Sequence, residues 1–139
     1  MSNWRKRVDP PFSAVDILII DRAILVAEHF AWRVIQAEHV NTQPDGLRTL
    51  GEIRLQQGNL SAAEQFIQQS LNLAQANQDK ILAGYAWRAL GEVQLALGNP
   101  AQARGNLDQA IILFGIGKLR EEIEKTRRIG QTKGLSFDP

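Results

Sequence analysis

The sequence predicts an all-α protein in which antiparallel helix-turn-helix repeats are stacked in a row. Two segments, Arg48–Leu73 and Arg88–Leu113, align without a gap from first residue to last, and ten of their 26 positions are identical. In each segment apolar residues recur at helical spacing, and a Gly-Asn pair divides the segment into two helices. Such a unit buries its apolar face only against its neighbours, so this repeat indicates a stacked array, here of about six helices.

Helix ends are marked within each repeat. We expect Gly58 and Gly98 to end the first helices in the left-handed conformation that glycine tolerates best. Asn59 and Asn99 follow directly and are placed to cap the second helices, with Pro100 at a first helical position. The pattern predicts these first helices: Leu47–Gln57 and Tyr85–Leu97.

Each second helix carries one apolar stripe at helical spacing, and we expect it to face the core. The stripe residues are Ala63, Ile67, Ser70, Leu71 and Ala74 in the first repeat, and Ala103, Leu107, Ala110, Ile111 and Phe114 in the second.

The N-terminal third differs from the repeats. Residues 1–12 carry Arg5, Lys6 and Arg7 and end shortly after two prolines, which predicts a flexible basic arm. The very apolar segment 14–27 is interrupted by Asp21 and Arg22, so it is too short for a membrane span and predicts a buried helix.

Part of this apolar segment has the same apolar pattern as the second helix of the first repeat. Ala23, Ala27 and Ala31 precede stripe positions of the first repeat by the same interval that separates the two repeats, so residues 13–41 are interpreted as a degenerate half-repeat. An internal repeat has no reason to be apolar all round. The excess of apolar residues over the later repeats, which includes Ile17, Ile20 and Ile24, suggests either a homo-oligomer interface or packing of the arm.

These features divide the chain as follows. A linker at 41–46 should break the helix, a short turn is expected at 77–79, and Gly115–Gly117 should end the second repeat. One domain is expected over residues 13–131, with the half-repeat 13–41, repeats at 44–77 and 80–115 and a charged capping helix at 118–131; residues 132–139 are expected to form a tail.

Composition argues against several classes of protein. The chain has no cysteine, so it has no disulfide or thiolate metal site, and its N-terminus lacks the apolar core of a signal peptide; we expect a cytoplasmic protein. His29 and His39 have no carboxylate at ligand spacing, which predicts no metal site. Without a phosphate-binding loop or nucleophile motif, we expect no cofactor and no enzymatic activity.

The repeat motifs are similar to those of the tetratricopeptide repeat family. Trp87-x-x-Leu90-Gly91 matches that family's opening pattern, and Leu47-x-x-Leu50-Gly51 matches it with leucine in place of the aromatic residue. Arg54 and Gln94 replace the family's tyrosine, and the long spacing from Arg48 to Arg88 resembles the longer repeats of bacterial regulatory and adaptor proteins. The resemblance implies a short right-handed α-solenoid that binds other proteins.

The resemblance also implies a concave groove lined by the first helices. The residues that it places there are Asp45, Arg48, Glu52 and Leu55, then Tyr85, Arg88, Glu92 and Leu95, and finally Arg127. The arginines would form a series beside Tyr85 that grips a peptide carrying carboxylates. The alternative is that Arg48/Glu52 and Arg88/Glu92 are ordinary ion pairs on the surface of one helix. Family members that clamp a chain-terminal carboxylate use asparagines where this chain has Glu52 and Glu92, so that specificity is not expected.

These features predict one of two functions. The first is a protein-interaction scaffold or adaptor that binds a peptide or a partner helix, as a subunit or assembly or regulatory factor of a larger complex. The alternative is a nucleic-acid-associated regulator, because residues 1–12 carry a net charge of +2 and residues 118–133 carry +3, against −3 for residues 13–117. Salt separates the two, since phosphate contacts weaken steeply with salt.

Overall fold

The computed structural model describes residues 22–29, residue 31 and residues 43–137, and these form six helices without a strand. Residues 22–29 form α1, and residue 31 is also helical. The other helices are α2 (Gln43–Gln56), α3 (Leu60–Ala76), α4 (Lys80–Ala96), α5 (Pro100–Ile116) and α6 (Arg120–Gln131). The predicted basic arm, Ile17, Ile20, His39 and the first two residues of the linker lie outside the described residues.

The helices form the predicted repeat array. Each of α2 to α5 packs against the next helix in the chain, and α2 also contacts α4. The first helices of successive repeats are therefore α2, α4 and α6, and the second helices are α3 and α5. All-α architecture with stacked helical pairs is confirmed.

The four turns from α2 to α6 share one geometry. Their left-handed residues are Gly58, Gln78, Gly98 and Lys118, which follow one another at a constant interval in the sequence, with φ between 57° and 79°. In every turn the amide after the left-handed residue donates to a carbonyl on the last turn of the preceding helix, as Asn59 does to Arg54 at 2.9 Å. The helix ends expected at Gly58 and Gly98 are confirmed, and each of the four turns leads directly into the next helix of the array.

Side-chain caps begin two of the helices. Asn59 accepts a hydrogen bond from the amide of Ala62, as predicted, and Asp79 accepts one from the amide of Leu82. Pro100 begins α5 and Asn99 occupies its N-cap position as predicted, but the side chain of Asn99 makes no capping hydrogen bond. Its side-chain amide instead donates to Gln94, which turns the group away from the helix start.

The second helices bury the predicted stripes. All five stripe residues of α3 and four of the five in α5 are buried, whereas Ile111 is only partly buried. Ser70 is tolerated in the core because its hydroxyl donates to the carbonyl of Pro44, at the start of α2. Trp87 packs against this core from its edge.

Close approach of each helix pair depends on a glycine. A methyl group at Gly51 would lie 2.4 Å from Cγ1 of Ile67, and one at Gly91 would lie 2.6 Å from Cδ2 of Leu107. The repeated Leu-Gly motif therefore lets α2 approach α3 and α4 approach α5.

The two residues that replace the family's tyrosine make polar bridges. Arg54 on α2 donates to Glu28 on α1 and to Gln57, and Gln94 on α4 donates to Glu64 on α3. Each thus joins a first helix to the helix that precedes it.

Two of the predicted bounds need correction. Helix α2 begins at Gln43, so Pro44, Asp45 and Gly46 of the expected linker form its first turn. Proline fits there because the first-turn amides have no intrahelical acceptor. Helix α4 begins at Lys80 rather than Tyr85, directly after its Asp79 cap.

Helix α1 is less buried than expected. Ala31 is buried, but Ala23 is exposed, and Leu25 and Val26 expose 58% and 69% of their surface. Its partly buried Glu28 pairs with Arg54 of α2. The expectation of a buried helix is therefore wrong for the described part of this segment.

The C-terminal residues described by the structure turn back onto the array. Gly134 adopts a left-handed conformation, and the amide of Leu135 donates to the carbonyl of Gly130. The ring of Phe137 occupies the space where a side chain at Gly130 would lie, and the guanidinium of Arg104 is 5.8 Å from the ring centroid. Residues 132–137, which we expected as a tail, thus contact α5 and α6.

Candidate functional site

Tyr85 lies at the centre of the predicted groove. The guanidinium carbons of Arg48 on α2 and Arg88 on α4 are each 5.1 Å from its ring centroid. Its ring also meets Phe114 of α5 edge to face, with centroids 5.2 Å apart and an interplanar angle of 68°. Tyr85 therefore joins Arg48 and Arg88 to the buried core by cation–π and aromatic contacts.

Arg48 is neutralised by two carboxylates of its own helix. It forms ion pairs with Asp45 and with Glu52, the latter at 3.0 Å. Burial by itself would lower the pKa of Arg48, but hydrogen bonds and charge from Asp45 and Glu52 outweigh it and raise the pKa. The Nε atom is buried without an acceptor in the part of the chain that the structure describes.

Arg88 is held by a different helix. Its Nη1 atom lies 2.6 Å from Oε2 of Glu122 on α6, and Lys125 approaches the other oxygen of Glu122 at 3.6 Å. The hydrogen bond from Arg88 keeps the pKa of Glu122 below its usual range. The ion pair between Arg88 and Glu92, which the sequence offered as an alternative, is not formed, because Arg88 reaches across to Glu122 on α6 instead.

Glu92 lies between these two groups of ion pairs without a partner of its own. Among residues 22–29, 31 and 43–137 it forms no ion pair or side-chain hydrogen bond, although it is only partly exposed. Burial raises its pKa, the nearby charge of Glu52 raises it further, and Arg88 and Arg48 act in the opposite direction. These side chains around Tyr85 thus include one carboxylate that is partly desolvated and unpaired within the described residues.

The comparison with known families agrees with this architecture. The family model described as tetratricopeptide repeat matches residues 44–124, which is more than half of the chain and spans α2 to the start of α6. The chain belongs to the tetratricopeptide repeat family. No curated protein and no solved structure matches the chain significantly. Tetratricopeptide repeats generally mediate protein–protein interaction and are typically non-enzymatic scaffolds.

Three of the predicted groove residues lie outside the cluster around Tyr85, which consists of that ring, Arg48, Arg88 and the charged side chains beside them. Leu55 is partly buried and packs against the core, and Leu95 is also partly buried. Arg127 pairs with Glu124 on its own helix at 3.1 Å. No ring contact within the described residues joins Arg127 to Tyr85, so the arginine series stops at the second repeat.

Sequence reasoning missed Glu122, Lys125 and Phe114 as parts of this site. Their spacing from the repeat motifs carried no signal, because Glu122 and Lys125 come from α6 and Phe114 contacts Tyr85 from the buried core on α5. The interaction of Arg88 with Glu122 spans 34 positions of sequence.

Other kinds of site find no support in the described residues. No group of three or more His, Asp or Glu side chains in residues 22–29, 31 and 43–137 is arranged to hold a metal ion. None of the helices in the same residues is long and apolar enough to cross a membrane. In α6, Lys125 and Arg127 are both paired with glutamates, which reduces the positive charge available to a nucleic acid.

Proposed function

We propose that this protein is an interaction scaffold that holds a peptide or a helix of a partner protein in the groove lined by α2, α4 and α6. It acts as an adaptor, as a subunit or as an assembly or regulatory factor of a larger complex. The observation that carries this proposal is one connected polar and aromatic surface to which three successive first helices contribute. That surface comprises Asp45, Arg48, Glu52, Tyr85, Arg88, Glu92, Glu122 and Lys125.

Rigidity of this surface supports a binding role. Arg48 and Arg88 expose only 18% and 15% of their side chains, and both are fixed by ion pairs and by the ring of Tyr85. A preorganised surface loses little side-chain entropy when a partner binds. Folded helices in a fixed array therefore present these groups at constant spacing to an extended or helical ligand.

Site-specific photo-crosslinking tests the proposal. A benzoylphenylalanine at Glu52, whose side chain is 40% exposed in the groove, is compared with one at Gly105, where a side chain meets nothing within 4 Å. Each protein is irradiated in a lysate of the source organism, and adducts are identified by mass spectrometry. We expect a discrete protein adduct from position 52 and none of the same mass from position 105.

Three results would contradict the proposal in different ways. An adduct from position 105 alone would place the partner surface on the exposed face of α5. An adduct of twice the chain mass would make a second copy the occupant. Adducts that disappear after nuclease treatment would favour the nucleic-acid function instead.

A further inference from the structure

We propose that the groove recognises a basic side chain of the partner, an arginine or a lysine, through the carboxylate of Glu92. This inference rests on the proposed function, because it names the chemistry of the peptide that occupies the same groove. It concerns a segment of another protein rather than a nucleic acid or a lipid.

The charges of the groove are unequal once their pairing is taken into account. The first group of ion pairs has one arginine between two carboxylates, and the second has one carboxylate between two bases. These groups are Asp45, Arg48 and Glu52, and Arg88, Glu122 and Lys125. They offset each other, so Glu92 is the one unbalanced charge on the surface defined above.

Glu92 would also gain from a nearby cation. Its carboxylate is partly removed from water, and its neighbour Glu52 repels it. An incoming guanidinium or ammonium would replace the lost hydration with charge-assisted hydrogen bonds. A neutral partner would offer weaker hydrogen bonds and leave the charge uncompensated.

A carboxylate-bearing partner fits poorly. Both guanidinium groups that would bind it already donate to carboxylates of this chain, Arg48 to Asp45 and Glu52 and Arg88 to Glu122. An acidic peptide would have to displace these partners and also approach Glu92. The structure therefore favours a ligand of the opposite charge to that inferred from the arginine series in the sequence.

Selection of peptides on the full-length chain provides the test. A phage-displayed library of random dodecapeptides is selected against the native chain and, in parallel, against the Glu92→Arg variant. We expect enrichment of a basic residue at one recurrent position with the native chain and loss of that enrichment with the variant. A selected peptide is then synthesised with a fluorescein label, and its affinity is measured by fluorescence polarisation.

Two substitutions make the affinity measurement specific. Glu92→Gln keeps the shape of the side chain and should weaken binding about 10-fold, because the ligand loses a hydrogen-bonded charge. Glu124→Gln removes an exposed carboxylate of α6, outside the cluster, and should change the affinity less than about 2-fold. Replacing the basic residue of the peptide by glutamine should match the effect of Glu92→Gln, and combining both changes should add little further loss.

Other outcomes overturn the inference and remain distinguishable. Peptides enriched in acids, whose binding is lost in Arg88→Gln, would keep the groove function but reverse its charge preference. If the affinity of the selected peptides is unchanged by substitutions at Glu92, Glu52 and Arg88, both the charge preference and the groove would be overturned.

The chain's own basic arm is a competing occupant. If a variant with Arg5, Lys6 and Arg7 replaced by glutamate binds the peptide about 10-fold more tightly than the native chain, the arm fills the groove in the native protein. That result would overturn the assignment of the groove to a separate partner. Equal affinity of the two proteins is the result that we expect.

Discussion

Replacing Tyr85 with leucine tests whether its ring organises the groove. Leucine keeps an apolar side chain in the same place but removes two cation–π contacts and one edge-to-face contact. Because Arg48 and Arg88 are largely buried, each cation–π contact is worth about 1 kcal/mol, and the aromatic pair adds about 0.5–1.5 kcal/mol. We therefore expect Tyr85→Leu to lower the free energy of unfolding by about 2.5–3.5 kcal/mol.

Urea denaturation followed by circular dichroism measures this change. With a denaturant slope of about 2 kcal/mol per molar, the midpoint should fall by about 1.5 M. Tyr85→Phe is the matched control. The hydroxyl of Tyr85 forms no hydrogen bond with any residue that the structure describes, so this variant should remain within about 0.5 kcal/mol of the native chain.

Equal stability of the leucine and phenylalanine variants would rule out this role of the ring. In that case the ring would contribute only apolar area, and the arginines would be held by their carboxylate partners alone.

Three further predictions concern the helix contacts, the turns and the unpaired carboxylate. In urea denaturation, Gly91→Ala should destabilise the chain by about 1–3 kcal/mol, because the methyl group would overlap Leu107, whereas Gly105→Ala should stabilise it by about 0.5–1 kcal/mol, because its space is open. Gln78→Gly should raise the free energy of unfolding by up to about 1 kcal/mol, since Gln78 has a positive φ, and an unchanged urea midpoint would argue against strain at this turn. Glu92→Gln should raise the Tm at pH 7, and calorimetry should show the gain fading towards pH 4, because a carboxyl with a raised pKa destabilises the fold only when ionised; a gain that is constant with pH would exclude this cause.

The fold could be predicted from the sequence because the two repeats carry the same residues at their helix ends and helix contacts. Identical Leu-Gly and Gly-Asn positions indicated the helix ends at Gly58 and Gly98 and the buried stripes that follow them. The equivalent left-handed positions of the other two turns are Gln78 and Lys118 rather than glycine, so the constant interval between turns was not visible. A left-handed residue other than glycine costs only about 1–2 kcal/mol, which a packed array tolerates, so no residue type is required there.

The site was predictable only where its contacts are local. The grouping of Arg48 with Glu52 follows from their helical spacing on one face, and the structure contains that pair. The pairing of Arg88 with Glu122 depends on where α6 docks, which local spacing does not specify. Once Arg88 is engaged by α6, Glu92 is left unpaired among the residues that the structure describes, and the expected charge of the ligand reverses.

The exposure of apolar side chains on α1 was also not predicted from the sequence. A run of apolar residues predicts burial but does not say how many faces of a helix find neighbours. In α1, the ion pair with α2 is formed while Leu25 and Val26 stay exposed.

The most direct test of the groove is nuclear magnetic resonance of the ¹⁵N-labelled full-length chain titrated with the selected peptide that carries a basic residue. We predict that amide shifts will concentrate on α2 and α4 around Glu52, Tyr85 and Glu92, and that the Glu92→Gln variant will need about 10-fold more peptide for the same shifts. Shifts concentrated on the exposed face of α5, around Gly105 and Ile112, would contradict the account.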